Sequence, residues 1–137
     1  MRAIDLHNMI DVRHAISPQV ATNNTALVSA IIDRQGFDAL EFAIATGTLA
    51  DADATFTALV EDGDDPALGD NGAVAAADLL GTEAGASFTF ADDDKAFKIG
   101  YRGNKRYVRL TITPANNTGN APISALAILG GPKLAPV

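Results

Sequence analysis

Cysteine and tryptophan are absent from this 137-residue chain, and histidine and tyrosine occur only twice each. Without cysteine there is no disulfide, no thiolate nucleophile and no cysteine-based zinc site. His7 and His14 are seven residues apart, which aligns them on a helix but opposes them on a strand. Two histidines do not close a zinc site without carboxylate help, so both read as surface or packing residues. Familiar active-site signatures are missing too. There is no G-x-S-x-G elbow, no G-x-x-x-x-G-K-[ST] phosphate loop and no EF-hand spacing. No stretch approaches the roughly 20 apolar residues of a membrane span. The N-terminus, Met1-Arg2-Ala3-Ile4-Asp5, lacks the long apolar segment of a secretory signal. These absences predict a protein with no catalytic residues, no cofactor, no resident metal and no membrane partner.

What remains is acidity and short alternating segments. Seventeen acidic against ten basic residues give a net charge of −7, which disfavours direct binding to nucleic acid. The acids cluster at Asp51 and Asp53, over Glu61–Asp65 and at Asp92–Asp94. They read as solvated loop tips, with a weak Ca²⁺ or Mg²⁺ site as the alternative. Hydrophobic residues make up 47 % of the chain, but many are alanine, so Leu, Ile, Val and Phe must supply most of the core.

Period-two alternation marks the strands. Leu40, Phe42 and Ile44 alternate with Ala39, Glu41 and Ala43; Phe56, Ala58 and Val60 repeat the pattern. Phe88 with Phe90, then Phe97, Ile99 and Tyr101, then Val108, Leu110 and Ile112 each share a face, with Tyr107, Arg109 and Thr111 outward. Ala26–Ile32 and Ile123–Leu129 read as further strands, and Leu79-Leu80 as a short one. The opening segment is ambiguous, an arm or a first strand that ends at Ser17-Pro18. Turn residues punctuate the chain at Asp33–Gly36, Asp62–Gly72, Asp92–Asp94 and Gly103-Asn104. About eight strands without crossover helices predict a single antiparallel β-sandwich or jelly roll. The expected organisation is an N-terminal arm or first strand over 1–17, the sandwich over 18–129 and a C-terminal extension over 130–137.

Six of the ten basic residues lie within fifteen positions: Lys95, Lys98, Arg102, Lys105, Arg106 and Arg109. Lys98, Arg102, Lys105, Arg106 and Arg109, with Tyr101 and Tyr107, are candidates for a subunit interface in which a basic hairpin meets an acidic patch. Solvent-facing strand cations that discourage edge pairing are the alternative.

Three stretches carry a resemblance: IIDRQGFDALEF (31–42), DADATFTALVEDG (51–63) and FKIGYRGNKRYVRL (97–110). Together they resemble a family of small tailed-bacteriophage and prophage proteins from the head-morphogenesis region, across about Ile4 to Leu129. The resemblance implies a virion structural protein made in the bacterial cytoplasm. It implies a decoration, or cement, protein that binds the major capsid protein on the outer capsid surface, as a homo-oligomer with a trimer favoured. Arg2, Ile4, Leu6, His7 and Met9 of the arm, with the loop Asp62–Gly72, are the expected capsid contacts. A head–tail or tail-fibre subunit is an alternative. So is a carbohydrate-binding sandwich, although the scarcity of Trp and Tyr removes the usual platforms for sugar stacking.

Overall fold

The computed structural model describes residues 2–137, so Met1, the first residue of the expected arm, lies outside the described residues. The alternating segments form an antiparallel β-sandwich. The eleven strands among the described residues are β1 (Ile10–Ala21), β2 (Leu27–Val28), β3 (Ile32–Asp33), β4 (Phe37–Thr46), β5 (Thr55–Gly63), β6 (Gly72–Ala73), β7 (Leu79–Leu80), β8 (Phe88–Thr89), β9 (Ala96–Tyr101), β10 (Tyr107–Ala115) and β11 (Ala121–Pro132). A short α-helix, α1 (Glu83–Ala86), precedes β8, its first turn capped by the Thr82 hydroxyl. One sheet has the order β1-β11-β4-β9-β7; the other runs β2-β10-β5-β6, with β3 on β10 and β8 on β5. The chain changes sheet at every connection except those between β2 and β3 and between β5 and β6. Each facing pair of strands therefore buries one side of its alternation.

The core sits between the sheets. Leu40, Phe42 and Ile44 of β4 and Ile99 and Tyr101 of β9 face Phe56 and Val60 of β5 and Val108, Leu110 and Ile112 of β10, all buried. Phe56, Phe88 and Phe97 form a stack with ring centroids 4.9 and 5.4 Å apart.

Several expectations are corrected. Phe90 is 44 % exposed rather than in the core. Strand β8 stops at Thr89, and a turn closed by the Asp92 N–H donating to the Thr89 carbonyl carries Phe90 out of the alternation. Phe97 is only half-buried. Tyr107, expected outward, is buried beneath the Arg106 guanidinium, 5.0 Å from its ring centroid. Ser17-Pro18 does not end β1. The pairing with β11 shifts register between Ile16 and Gln19, so Pro18 sits in an irregularity of an edge strand where no ladder donor is needed. The last strand continues past Leu129 to Pro132, because Gly130 pairs with Ala39 and Pro132 with Phe37. Gly103-Asn104 is not the tip of a hairpin, since β9 and β10 belong to different sheets. It is an arch between the layers.

Candidate functional site

The arch carries Arg102, Lys105 and Arg106 of the basic cluster, and each is engaged by a group of its own chain. Tyr101 ends β9 with its ring buried. Its hydroxyl donates to Asp62 Oδ2 at 2.6 Å and accepts the Lys105 N–H at 3.0 Å. Burial, then the hydrogen bond to Asp62, push the hydroxyl pKa well above the ordinary tyrosine range. The Arg34 guanidinium lies 4.7 Å from the ring centroid on one side and donates to the Lys105 carbonyl at 2.6 Å and the Gly103 carbonyl at 3.0 Å. Arg106 grips Asp33 through Nε and Nη2, both at 2.9 Å, and reaches Gln35 Oε1 at 2.6 Å. The Arg106 hydrogen bond holds the Asp33 carboxyl down to about 2. Lys105 pairs with Asp64 at 2.7 Å and Arg109 with Glu61 at 3.1 Å, while Arg102 Nε donates to the Ala77 carbonyl at 3.0 Å. Tyr101, Arg102, Lys105, Arg106, Tyr107 and Arg109 are thus engaged within the chain. Lys98 stands apart on the outer face of the five-stranded sheet. Arg34 and Asp62, which complete the arch, lie far from Tyr101 in sequence, so no local pattern signals them.

The acidic clusters also have internal work. Asp51 accepts the Thr118 N–H at 2.7 Å and hydroxyl at 2.9 Å, and Asp70 accepts the N–H groups of Asp64 and Asp65. Asp93 accepts the Leu49 N–H at 2.8 Å. These contacts tie loops together. Among the described residues no group of three His, Asp or Glu is placed to hold a metal ion. His14 Nε2 and Ser17 Oγ lie 2.9 Å apart on the exposed side of β1, but among the described residues nothing orients the other ring nitrogen.

The two termini meet at one end of the five-stranded sheet. Asp5 accepts the Asn8 N–H at 3.1 Å and its side-chain amide at 2.6 Å, shaping the turn that leads into β1. The Val137 N–H donates to the Asn8 carbonyl at 3.2 Å, and the Lys133 N–H to the Gly36 carbonyl at 2.9 Å. Arm and tail therefore lie together. Their side chains point away from the core: Ile4 is 77 % exposed and Leu134 is 85 % exposed, with Arg2, Leu6, His7 and Met9 also exposed.

The outer face of the five-stranded sheet is the second unpartnered surface. Cross-strand pairing aligns Val12, Ile128, Glu41, Gly100 and Leu80 in one row, and His14, Leu126, Ala43 and Lys98 in the next. Val20, Pro122, Ser124, Ala45 and Ala96 continue the face beyond them. Val12 is 52 %, Leu80 48 % and Leu126 46 % exposed. A shallow depression of about 380 Å³ lies against Val20, Ala45 and Pro122. The only ionisable side chains on these rows are His14, Glu41 and Lys98. Glu41 lies over Gly100, where a Cβ would collide with its carboxylate, and its desolvation there raises its pKa despite the nearby Lys98. The opposite sheet's outer face is more polar, with Thr55, Thr57, Glu61, Arg109, Thr111 and Thr113, although Val28 and Leu59 flank Thr111 on it. The sequence held a signal for the apolar face: Ala121–Leu129 and Phe42–Thr46 carry no charge on either parity, the pattern of strands covered on both sides.

No family model matches the chain, and no curated protein matches it. Solved structures do. The PBSX exported protein XepA superposes with a TM-score of 0.60 at 13 % identity, over 97 % of this chain and 40 % of its own. The chain thus spans about two fifths of XepA. The CBM22-1–GH10 modules of Clostridium thermocellum xylanase 10B align at a TM-score of 0.47 and 9 % identity, over 96 % of this chain and 30 % of theirs. The xylan-binding module CBM15 aligns at 0.43 and 12 %, over 96 % of both chains. At this level of identity the likeness to XepA is one of fold: the chain is a β-sandwich of the kind found there.

Proposed function

We propose that the chain is a non-enzymatic structural protein of a tailed-phage virion, a decoration or cement protein that docks on the major capsid protein at the outer capsid surface. The observation that carries this reading is the paired arm and tail. An acidic, tightly tied sandwich carries the exposed Ile4, Leu6, Met9 and Leu134 on an arm and a tail that meet at one end. Burying each such side chain against a partner contributes at most roughly 1.5–3 kcal/mol, part of which ordering the arm consumes. Contacts of that size hold when they repeat across an assembled shell. The sequence resemblance to phage head-region proteins supports the assignment, and the fold shared with the phage PBSX exported protein XepA is consistent with it. A sugar-binding role is less well supported, because both tyrosines are buried and the outer sheet face presents no aromatic ring.

The test is binding to purified heads of the parent phage by the full chain and by a chain lacking residues 1–8. The full chain is expected to co-sediment with heads and raise their disruption temperature. The truncated chain should keep its circular dichroism spectrum and bind at least about tenfold more weakly, a loss of ~1.4 kcal/mol or more. Equal binding by both would remove the arm from the contact, and binding to isolated tails instead of heads would replace decoration with a tail role.

A further inference from the structure

The outer face of the five-stranded sheet is flat, apolar and open, on a chain that otherwise repels its own copies through a net charge of −7. We infer that this face packs against the same face of a second copy, forming an isologous two-fold dimer. Three observations select that occupant.

Charge is the first. Glu41 on β4 and Lys98 on the adjacent β9 lie diagonally across the sheet, one row apart. They do not close into an ion pair within the chain, and neither has a hydrogen-bond partner among the described residues. A two-fold axis between the faces, bisecting the line from Glu41 to Lys98, sets each Glu41 opposite Lys98 of the partner subunit. Both pairs form at once, because an isologous contact is made twice. The axis passes between β4 and β9 and runs oblique to the strands, so the two sheets meet with their strands steeply crossed over the middle of the face.

Area is the second. Ten residues of each of β1, β11 and β4 and the six of β9, at about 4.8 Å between strands and about 3.4 Å per residue, give a face of roughly 590 Å². Its crossed overlap is smaller than the ~800 Å² per partner of a standard stable interface, which fits a dimer that forms at micromolar or higher concentration. The face carries Leu126 and Val12 as its most prominent apolar groups, and face-to-face sheets with such side chains pack about 10 Å apart.

The third is that the neighbouring edge is closed to strand addition. Along β1, Pro18 and two register shifts interrupt the ladder, and the Ala30 N–H already occupies the Ala15 carbonyl. Association is directed to the face. The dimer belongs to the free protein, whatever particle it serves, and leaves the arm and tail uncovered.

Sedimentation and light scattering across micromolar to ~100 µM protein read the outcome. The wild-type chain is expected at twice its 14.1 kDa mass. Leu126→Glu, a change at an exposed position, should keep the circular dichroism spectrum and be monomeric. Glu41→Lys and Lys98→Glu should each weaken association at least about tenfold by placing like charges opposite one another. The double exchange E41K/K98E should return it to near the wild-type value. A wild-type monomer at ~100 µM, or a trimer, overturns the two-fold. So does a dimer that survives Leu126→Glu. Failure of the double exchange to recover association overturns the Glu41–Lys98 pairing and with it the proposed axis.

Discussion

Replacing Tyr101 by Phe isolates the hydroxyl that closes the arch between the sheets. The ring stays buried, and the Arg34 guanidinium keeps its place over it. What is lost is the hydrogen bond to Asp62 at 2.6 Å and the acceptor for the Lys105 N–H at 3.0 Å. A hydrogen bond to a charged group contributes about 1.5–3 kcal/mol, and an orphaned buried partner costs about 1–3 kcal/mol. Asp62 and Lys105 both retain some access to water, which places the expected loss near ~2 kcal/mol. With a urea dependence of about 2 kcal/mol/M, the unfolding midpoint should fall by about 1 M. Alkaline pH gives an independent check. The hydroxyl pKa is raised in the folded chain, so its contribution is complete below the unfolded tyrosine value and is lost as pH rises through the folded one. The wild-type midpoint should therefore fall more steeply above pH ~10 than that of the variant. An unchanged urea midpoint in Tyr101→Phe would refute the arch as described, because it would mean the hydroxyl is solvated in both states.

Phe88→Ala should cost about 3–5 kcal/mol and Phe90→Ala under about 0.5 kcal/mol in the same urea experiment, since only Phe88 joins the aromatic stack. Equal losses would mean β8 extends past Thr89. The Asp33 carboxyl should titrate with a midpoint near 2 by NMR, because Arg106 holds it there. Its folded pKa is depressed, so the stabilising pair is intact above the ordinary carboxyl value and disappears as pH falls through about 2. Arg106→Gln should move that midpoint back towards 3.8. Phe42→Ala, in the middle of the central strand, should cost about 3–5 kcal/mol, and a negligible shift would place β4 in the wrong register.

Strand identity was legible wherever one face alone was apolar. The alternation of β4, β5, β9 and β10 placed Phe42, Phe56, Ile99 and Leu110 inside, as found. The pattern failed where a turn cut a strand short, as at Phe90, because alternation says nothing about where pairing stops. It failed also where an irregularity let a strand continue, as at Pro18, because an edge strand tolerates a residue without an N–H. The basic cluster was visible as composition, but its use was not. Its carboxylate partners Asp33, Glu61 and Asp64 lie 41 to 73 residues away in the chain. The pairing of β10 with β3 and β5 brings them together: Arg109 lies opposite Glu61, and Tyr107 opposite Asp33 and beside Asp64. The apolar outer face was written in the uncharged run of β11, which reads as core until the sheet order shows that no described element covers it.

Quantitative mass spectrometry of particles purified from an induced lysogen carrying the gene decides whether this chain belongs on a virion. The chain is expected to purify with intact heads in many copies per particle and to stay with heads separated from tails. Recovery only in the particle-free supernatant would contradict this expectation.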